Sequence, residues 1–553
     1  MKKLIYPILL GLIVLLAFFL RFYKVTQSPP SLNWDETSIA YNAYSILKTG
    51  KDEWGVKFPL NFKSYGEYKL PAQIYASISG IAIFGLNGLG VRITPVVYGT
   101  LTVLLLYFLA NLLFKDKRVG LLSAFILAVS PWHIQLTRAS FESGFSVFWV
   151  VLGAILFIKG FEKKKYWALS IIPFVISIYT YNAARVFTPL FIFMLFLIYR
   201  KELLKDLKVF LISFGIFVIS VVPIGLSFFS GEASARFKLV SIMDDPGFVQ
   251  RVNQARGKTD LPDPLHRLIH NKVTHFAYVF AGNYLSHFTP DFLFMNGAGH
   301  KQHHVQGIGE LFWVQAPFIL VGIYFLFKKK EKWRFFIIAW LLLTFIPVSI
   351  TVDSIPNALR TILAVIPYSL LSAYGFWQIF DIFKGKKKGR FFNLSIILVS
   401  AGLFLYQFIN FQNNLYNIYP KLYSRDWQYG YRQVVTYIKD HYDEYDLIVF
   451  SRTYGEPHMF TLFFMNWDPA KYQNDPNLVR YESNDWVWVL NFDKFYFPDL
   501  GDDGTKYKDI VDLNPGKKIL FVGRSQDFSD SVERLYTVDF LNGNRAFDIV
   551  ESK

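Results

Sequence analysis

The stretch SLNWDETSIAYNAYSIL, Ser31 to Leu47, places two neighbouring acids, Asp35 and Glu36, shortly after the apolar run 4–20. After the acids, apolar residues recur at helical spacing, with tyrosines beside them. This pattern predicts a short amphipathic helix that lies in a membrane interface. Each acid also has a structural interpretation. Asp35 would be the helix N-cap, and Glu36 would be a first-turn acid that complements the helix dipole.

The composition of the chain indicates a membrane protein. Of its 553 residues, 53% are hydrophobic, 19% are aromatic and only 18% are charged, and the mean hydropathy is +0.28. Long apolar runs recur up to about residue 410 and then stop, which predicts a polytopic α-helical membrane protein with a soluble tail. About eleven runs are candidate spans: 4–20, 91–114, 119–130, 144–160, 167–180, 186–199, 209–229, 312–327, 335–350, 359–383 and 391–408.

Basic clusters at every second turn predict the orientation. They are MKK at the N-terminus, KDKR (115–118), EKKK (162–165), RKELLKDLK (200–208), KKKEKWR (328–334) and KGKKKGR (384–390). By the positive-inside rule these loops and the N-terminus are cytoplasmic. The loops 21–90 and 230–311 and the tail 411–553 are then extracytoplasmic. Because the net charge of +16 is concentrated in such loops, it does not indicate a nucleic-acid partner.

Charged residues beside the spans lie at their outward ends. They are Arg92, Glu142, Arg185, Glu310 and Arg360. Since transporters and pumps keep ionisable groups near the middle of the membrane, this placement favours an enzyme that acts on a lipid headgroup. A transporter or flippase for lipid-linked glycans is the alternative.

The tail predicts a small extracytoplasmic α/β domain. A helix over 431–442 is followed by a strand at 446–452, a helix that begins near Glu456, and strands at 485–492 and 517–524. Nothing in the tail indicates a catalytic residue. The chain has no cysteine, which excludes disulfides, thiolate zinc sites and a cysteine nucleophile.

Three motifs together resemble the membrane glycosyltransferases of the protein O-mannosyltransferase and lipid A aminoarabinose transferase group, a branch of the GT-C superfamily. WDETSIAYNAYSI resembles the Asp-Glu pair that opens the first external loop of that group, EYKLPAQIY its Lys-Pro motif with Lys69, and SPWHIQLTRASFE its later SP…R…D pattern, where Glu142 replaces the usual Asp. The resemblance covers about residues 1–410 and implies a GT-C-like transmembrane domain. It also implies a polyprenyl-phosphate sugar donor and an inverting transfer onto a hydroxyl of a protein, lipid or glycan.

The chemistry of an inverting transfer suggests roles for the residues in these motifs. One carboxylate must take the proton from the attacking hydroxyl, and we assign this base to Asp35. Lys69 and Arg138 are candidates to hold the donor phosphate and to neutralise charge as the bond breaks. Glu142 is a candidate to orient the acceptor, and the alternative is an ion pair with Arg138.

Further candidates for substrate contact lie in the same external segments. Glu36 follows the proposed base, and His287 and Asp291 belong to a polar loop where a histidine or an acid would contact the sugar or the acceptor. Three arginines at span ends are weaker candidates, with headgroup anchoring as the alternative: Arg92, Arg185 and Arg360.

A histidine-rich loop raises the question of a metal. His300, His303 and His304 lie in GAGHKQHHVQGIG, but a metal site needs three or four ligands with defined geometry, and this glycine-rich segment is typical of a solvated or substrate-lining loop. We therefore predict no cofactor, with a divalent metal at this loop as the alternative. The external loops also lack a phosphate-cradling GxxxxGK motif, which argues against a nucleotide donor.

Overall fold

The computed structural model describes residues 2–229, 231, 237–260, 262, 264–384, 389–483, 486–501 and 504–552. Parts of three predicted features lie outside the described residues: the external loop 230–311, the basic run 384–390 and the start of the strand at 485–492.

The described chain is mainly helical. Its helices are α1 (Lys2–Phe22), α2 (Trp34–Thr49), α3 (Pro71–Phe84), α4 (Gly88–Phe114), α5 (Lys117–Val129), α6 (Pro131–Leu136), α7 (Glu142–Lys159), α8 (Lys165–Ile178), α9 (Asn182–Leu203), α10 (Leu207–Phe229), α11 (Phe248–Gly257), α12 (Leu265–Ile269), α13 (Lys272–Ser286), α14 (Gln315–Lys328), α15 (Arg334–Thr344), α16 (Ile346–Ser349), α17 (Ala358–Thr361), α18 (Val365–Phe383), α19 (Gly389–Asn413), α20 (Tyr419–Leu422), α21 (Tyr431–Asp440), α22 (Pro457–Phe464), α23 (Pro469–Gln473) and α24 (Thr505–Asp512). Short 3₁₀ turns occur at Leu204–Asp206, Ile362–Ala364, Tyr442–Glu444 and Ser525–Asp527, and π-helical turns at Asp291–Met295 and Asn414–Ile418.

The strands form a hairpin and one larger sheet. They are β1 (Phe62–Ser64), β2 (Glu67–Lys69), β3 (Leu447–Phe450), β4 (Val479–Ser483), β5 (Trp486–Phe492), β6 (Phe495–Tyr496), β7 (Ile519–Gly523), β8 (Arg534–Asp539) and β9 (Arg545–Glu551). β1 and β2 are antiparallel, and the other strands follow the order β4-β5-β6-β3-β7-β9-β8. β3 is parallel to β6 and β7, whereas the remaining pairs are antiparallel. The predicted α/β character of the tail is confirmed.

The chain divides into two compact units. The first comprises residues 1–23, 95–137 and 141–414, and the second comprises 24–94, 138–140 and 415–553. The sequence predicted a division near residue 410, between a membrane domain and the tail. In the structure, residues 24–94 group with the tail because α2 packs against α22 and α23.

Most of the apolar helices belong to the first unit. Within the described ranges, six helical stretches are long and apolar enough to cross a membrane: Leu4–Phe22, Gly88–Phe114, Glu142–Lys159, Asn182–Ser227, Ala358–Phe383 and Gly389–Leu422. Shorter apolar helices are Pro71–Phe84, Lys165–Ile178, Gln315–Lys328 and Arg334–Ser349. The apolar runs predicted as spans are all helical, and the chain is a multi-pass membrane protein.

Glycines allow a close crossing of two helices in the first unit. A Cβ added at Gly322 of α14 would lie 2.2 Å from the carbonyl oxygen of Leu371, and one at Gly375 of α18 would lie 1.9 Å from that of Phe318. Small residues at a crossing let two helix backbones approach in a membrane, where van der Waals packing drives association.

The helix predicted after Asp35 is present as α2, but it does not expose the polar face that the predicted amphipathic pattern requires. Its polar residues are as buried as its apolar ones: Thr37, Ser38, Asn42 and Ser45 are all enclosed by protein. The Asn42 amide donates to Ser38 O at 3.0 Å, and the Ser45 hydroxyl donates to Lys51 O at 2.6 Å. Asn42 and Ser45 are therefore satisfied by internal hydrogen bonds rather than by water.

The tail holds the first residue of α2. Gln428 accepts a hydrogen bond from Trp34 N at 2.8 Å and donates to Tyr454 O at 2.7 Å. Gly455, which follows Tyr454, has φ +118° and lies against the Trp34 indole. A Cβ added at Gly455 would come within 2.4 Å of Trp34 Cε3. Glycine at this position permits both the backbone conformation and the close packing.

We expect Gly455→Ala to lower the thermal unfolding midpoint more than Gly543→Ala does. Both glycines have positive φ, so both changes add backbone strain of about 1–2 kcal/mol. Only the change at 455 also overpacks Trp34, which adds about 1–3 kcal/mol, because nothing lies within 4 Å of a Cβ at 543. Thermal unfolding of the two purified variants in one detergent measures the difference, and equal midpoints would contradict the packing at Trp34.

Candidate active site

α2 is capped by Asn33, not by Asp35. The Asn33 side chain accepts a hydrogen bond from Glu36 N at 2.8 Å, and the Glu36 carboxylate accepts one from Asn33 N at 3.4 Å. This reciprocal capping box satisfies the first N–H groups of the helix. The interpretation of Asp35 as the N-cap is therefore wrong, and its carboxylate lies in the first helical turn with a different partner.

That partner is Lys69, the last residue of β2. The Nζ of Lys69 forms an ion pair with Oδ1 of Asp35, and Oε1 of Glu67 lies 3.8 Å from the same Nζ. The Tyr65 ring centroid is 5.8 Å from Nζ. Only 3% of the Lys69 side chain is accessible, compared with 37% of Asp35. A buried ammonium thus holds a solvent-accessible carboxylate at the start of a helix.

Glu36 is buried in a bidentate ion pair with Arg92. Nε and Nη2 of Arg92 donate to the Glu36 carboxylate at 2.9 and 2.7 Å, and Ser140 N donates to it at 3.0 Å. Arg92 also donates to the backbone oxygens of Val25, Pro29 and Ser31. The oxygens of Glu36 are occupied inside the protein, so the substrate contact that the sequence predicted would have to displace one of these donors.

Arg138 is fully buried in the same unit. Its Nε and Nη2 donate to Ser28 O at 3.0 and 2.6 Å, and Nη1 donates to the Tyr416 hydroxyl at 3.3 Å. Its guanidinium also lies 5.1 Å from the Tyr416 ring centroid. Burial lowers the pKa of Arg138 to about 10, with a smaller contribution from Arg92, so the group remains a cation at neutral pH.

The structure brings half of the predicted site residues into the second unit. These are Asp35, Glu36, Lys69 and Arg138, joined there by Arg92. The remaining predicted residues belong to the first unit: Glu142, His287, Asp291 and Arg360.

His287 has a partner on each ring nitrogen. Its Nδ1 donates to Asn283 O at 2.7 Å, and its Nε2 accepts a hydrogen bond from Asn357 N at 3.0 Å. Burial lowers the pKa of His287 to about 4, so the imidazole is neutral. This bonding ties α13 to the turn before α17, and the predicted substrate contact would have to displace one of the two bonds.

The other three residues of the first unit have local surroundings of different kinds. Arg360 pairs with Asp353, Nη2 to Oδ2, at 2.7 Å. Asp291 is exposed and accepts a hydrogen bond from the Asn296 amide. Glu142 is the first residue of α7, where a carboxylate complements the helix dipole.

Arg185 of the first unit differs from the paired arginines. It lies in the first turn of α9, and its Nε and Nη2 atoms are buried without a hydrogen-bond partner among the described residues. Leaving buried guanidinium N–H groups without acceptors is unfavourable, and an anion would satisfy them.

The histidine-rich loop of the first unit does not assemble a metal-ligand set among its described residues. The rings of His300 and His303 stack with centroids 3.7 Å apart, while His304 Nδ1 lies 2.9 Å from Glu310 Oε1. In the part of the chain that the structure describes, no three histidine, aspartate or glutamate side chains converge as ligands would. That the reaction needs no metal stays a prediction.

Two buried acids of the second unit were missed by the sequence analysis. Burial raises the pKa of Glu53 to about 7 and that of Glu456 to about 8. Asn42 Nδ2 donates to Glu53 at 3.0 Å, and Trp486 Nε1 donates to Glu456 Oε1 at 2.6 Å. The charge of Asp35 also contributes to the raised pKa of Glu456, so this acid of the tail lies near Asp35. No spacing along the chain signals this, because the three acids come from three separate segments.

In amino-acid sequence, known proteins match part of this chain. Residues 71–225 match the family model described as dolichyl-phosphate-mannose-protein mannosyltransferase. An uncharacterised protein of Aquifex aeolicus is 32% identical over 216 residues, which make up 36% of this chain and 40% of that protein. The dolichyl-phosphooligosaccharide-protein glycotransferase 2 of Pyrococcus furiosus is 28% identical over 149 residues, 26% of this chain and 19% of that protein. The chain thus spans less than half the length of either relative.

Solved structures match nearly the whole chain in fold. One is the oligosaccharyltransferase AglB of Archaeoglobus fulgidus, solved with an inhibitory peptide and a dolichol-phosphate. Its TM-score is 0.54 at 15% identity, and the match covers 94% of this chain and 69% of the AglB chain. ArnT of Cupriavidus metallidurans has a TM-score of 0.55 at 11% identity, and the match covers 100% of this chain and 98% of the ArnT chain. The structure of ArnT with undecaprenyl phosphate bound has a TM-score of 0.50 at 11% identity, and the match covers 99% of this chain and 98% of the ArnT chain. The predicted GT-C fold and the resemblance to GT-C membrane glycosyltransferases are confirmed.

We expect Glu456→Gln to reduce the loss of thermal stability as the pH rises from about 4.5 to about 8. The pKa of Glu456 is raised from 4.5 to about 8 in the folded protein, so the folded state binds this proton more tightly than the unfolded state. The resulting stability is complete below pH 4.5 and is lost as the pH rises through about 8. Glutamine stays neutral throughout, and the unfolding midpoint of the solubilised protein, measured across this window, should fall less steeply in the variant.

Glu482→Gln is the matched control. Glu482 belongs to the same unit but is 66% exposed, so its replacement should leave the pH slope of the unfolding midpoint unchanged. Parallel slopes for the wild type and Glu456→Gln would show that the raised pKa of Glu456 is not a property of the folded protein.

Proposed function

We propose that the protein is an inverting glycosyltransferase that moves a sugar from a polyprenyl-phosphate donor onto a hydroxyl acceptor, at the outer face of the cytoplasmic membrane. The observation that carries this proposal is the ion pair of the accessible Asp35 carboxylate with the buried Lys69 ammonium. Support comes from the mannosyltransferase family model, and from the solved relatives that hold dolichol-phosphate and undecaprenyl phosphate.

Asp35 is the proposed general base. The acceptor oxygen attacks the anomeric carbon of the donor sugar, its proton passes to the Asp35 carboxylate, and the bond from the anomeric carbon to the phosphate oxygen breaks with its electron pair on the phosphate. Polyprenyl phosphate then leaves with one more negative charge than it carried as a diester. A phosphate is a stable leaving group, so the reaction needs no separate acid.

Lys69 is the proposed cation for this developing charge. It is buried beside Asp35, where a positive group is screened less than in water and acts more strongly on a nearby phosphate. In the resting protein Asp35 neutralises Lys69, and a bound donor phosphate would share the ammonium. Arg138 adds a second fixed positive charge to the same unit, held by Ser28 O.

Arg185 supports an anionic lipid ligand for the first unit. Its buried Nε and Nη2 groups, which have no hydrogen-bond partner among the described residues, fit the oxygens of a lipid phosphate. The predicted orientation, with the N-terminus in the cytoplasm and the tail outside, rests on the alternation of the basic loops.

We expect Asp35→Asn to lower sugar transfer by about 100- to 10,000-fold, the usual contribution of a general base. The assay is transfer of labelled sugar from synthetic polyprenyl-phosphate sugars to membrane acceptors by the reconstituted protein. Asp530→Asn, an exposed change in the same unit, is the control and should keep the wild-type rate. Wild-type rates in Asp35→Asn would exclude the base assignment, and movement of lipid-linked glycan across liposomes independent of Asp35 would favour a flippase.

We expect Lys69→Gln to lower kcat by about 100-fold, because it removes one fixed group that stabilises the leaving phosphate. Lys69→Arg restores the positive charge and should recover part of the rate, whereas loss of packing alone would not be recovered by charge. Steady-state kinetics with the donor as the varied substrate measure kcat and KM separately. A kcat within twofold of the wild type in Lys69→Gln would remove Lys69 from the proposed reaction.

A further inference from the structure

Four aromatic side chains of the second unit form what we call the aromatic cluster: Trp34, Tyr65, Trp486 and Trp488. The Tyr65 and Trp486 rings stack with an interplanar angle of 11° and centroids 5.8 Å apart. Trp34 lies 6.0 Å from Tyr65 and 6.2 Å from Trp486, and Trp488 lies 6.0 Å from Trp486. The rings come from a helix start, a hairpin turn and a strand of the tail, and they converge at one place.

The aromatic cluster borders the Asp35–Lys69 ion pair. Trp34 immediately precedes Asp35 in α2, and the Tyr65 ring lies 5.8 Å from Lys69 Nζ. The Tyr65 hydroxyl donates to Trp34 O at 2.9 Å, and Val487 N donates to Tyr65 O at 2.7 Å. The proposed base is therefore next to a set of rings that the tail holds in place.

Glu456 adds a buried carboxyl group with spare hydrogen-bonding capacity. Its Oε1 accepts from Trp486 Nε1 at 2.6 Å, whereas its Oε2 is buried with no hydrogen-bond partner in the described part of the chain. His458 Nδ1 lies 3.4 Å from Oε2, and burial lowers the pKa of that imidazole to about 3, so it is neutral. A buried oxygen without a donor is costly unless a ligand supplies one.

Packing alone does not account for the two tryptophans of the tail. Trp486 and Trp488 are two residues apart, so they project from the same face of β5, and both are only partly buried. Val489, on the opposite face of the same strand, is buried in the core. Two large rings that remain partly in water beside a candidate catalytic acid are typical of a ligand-binding surface.

The chemistry around the aromatic cluster discriminates between classes of ligand. β5 pairs with β4 along its length, while on its other edge β6 pairs with Asn491 and Phe492 and Tyr65 O accepts from Val487 N, which leaves little of that edge for an extended peptide. Several carboxyl groups lie around the cluster and Lys69 and offer hydrogen-bond partners for hydroxyl groups: Asp35, Glu53, Glu67 and Glu456. A neutral ring with an apolar C–H face for the tryptophans and hydroxyl groups for the carboxyl oxygen suits this surface.

We propose that the aromatic cluster and Glu456 bind a sugar ring of the acceptor, so that the acceptor is a glycan with a hydroxyl presented to Asp35. This inference rests on the proposed glycosyl transfer and names its acceptor class. The acceptor sugar hydroxyl donates its proton to Asp35 as its oxygen forms the new glycosidic bond, and the donor bond to phosphate breaks. Arg452, whose guanidinium lies 4.6 Å from the Trp488 ring centroid and donates to the Tyr481 hydroxyl, would border a second sugar of the same chain.

The test uses the full-length protein in nanodiscs and needs no donor. Saturation-transfer difference NMR is recorded with a set of probes: methyl glycosides of mannose, glucose, galactose, N-acetylglucosamine and arabinose, mannotriose, and an acetylated Ala-Thr-Ser-Gly peptide. We expect signals from ring C–H protons of at least one saccharide, reduced at least fivefold in Trp488→Ala and in Glu456→Gln. Trp488→Phe keeps a ring and should keep at least half of the signal.

Trp313→Phe is the matched control, because Trp313 is 53% exposed and belongs to the first unit, and it should leave the signals unchanged. Thermal unfolding of each variant verifies that it is folded. No saccharide signal, signals from the peptide alone, or full signals in folded Trp488→Ala would each overturn the glycan assignment. Failure of the proposed transfer reaction is a separate result, since it is measured by the activity of Asp35→Asn, and saccharide binding does not require that carboxylate to be a base.

Discussion

The buried ion pair between Glu36 and Arg92 is the interaction on which the candidate site depends. Arg92 lies in the first turns of α4 and uses its guanidinium for the Glu36 carboxylate and for three backbone oxygens of the segment that leads into α2. Breaking such a buried pair by removing one partner typically costs about 3–5 kcal/mol, because the other charge is left uncompensated. The pair therefore fixes where α2 begins and, with it, where the neighbouring carboxylate of Asp35 is held.

The adjacent acids of the motif thus have opposite environments although they are neighbours in sequence. On a helix, successive residues point about 100° apart, so one carboxylate can face the protein interior while the next faces the surface. Glu36 also completes the capping box with Asn33, which leaves Asp35 free of the capping role. The two acids therefore contact different cations: the buried Glu36 pairs with Arg92, and the accessible Asp35 pairs with Lys69.

Local sequence patterns predicted the parts of this arrangement that depend on short stretches of chain. Hydropathy located the membrane helices, and the motifs around Asp35, Lys69 and Arg138 identified three residues that the structure places in one unit. The burial of α2 was not predictable in this way, since its polar residues look solvent-facing until Glu53 and the tail cover them. Likewise Glu456 and Trp486 are unremarkable in sequence, because only the long-range pairing of the tail with residues 24–94 brings them near Asp35.

The residues placed in the first unit show why charge at a membrane boundary is a weak indication of function. His287 was predicted as a substrate contact because it lies in a polar external loop, and Arg360 because it lies at a span end. Each has protein partners: Asn283 and Asn357 for the histidine, Asp353 for the arginine. Any polar group near lipid must be satisfied internally, so most such residues are structural. A stronger indication is a buried polar atom that the fold leaves unsatisfied, as at Arg185 Nε and Glu456 Oε2 within the described residues. A ligand that supplies the missing hydrogen bond removes the cost of such an atom, so these two positions are candidate ligand contacts in addition to the accessible Asp35 and its partner Lys69.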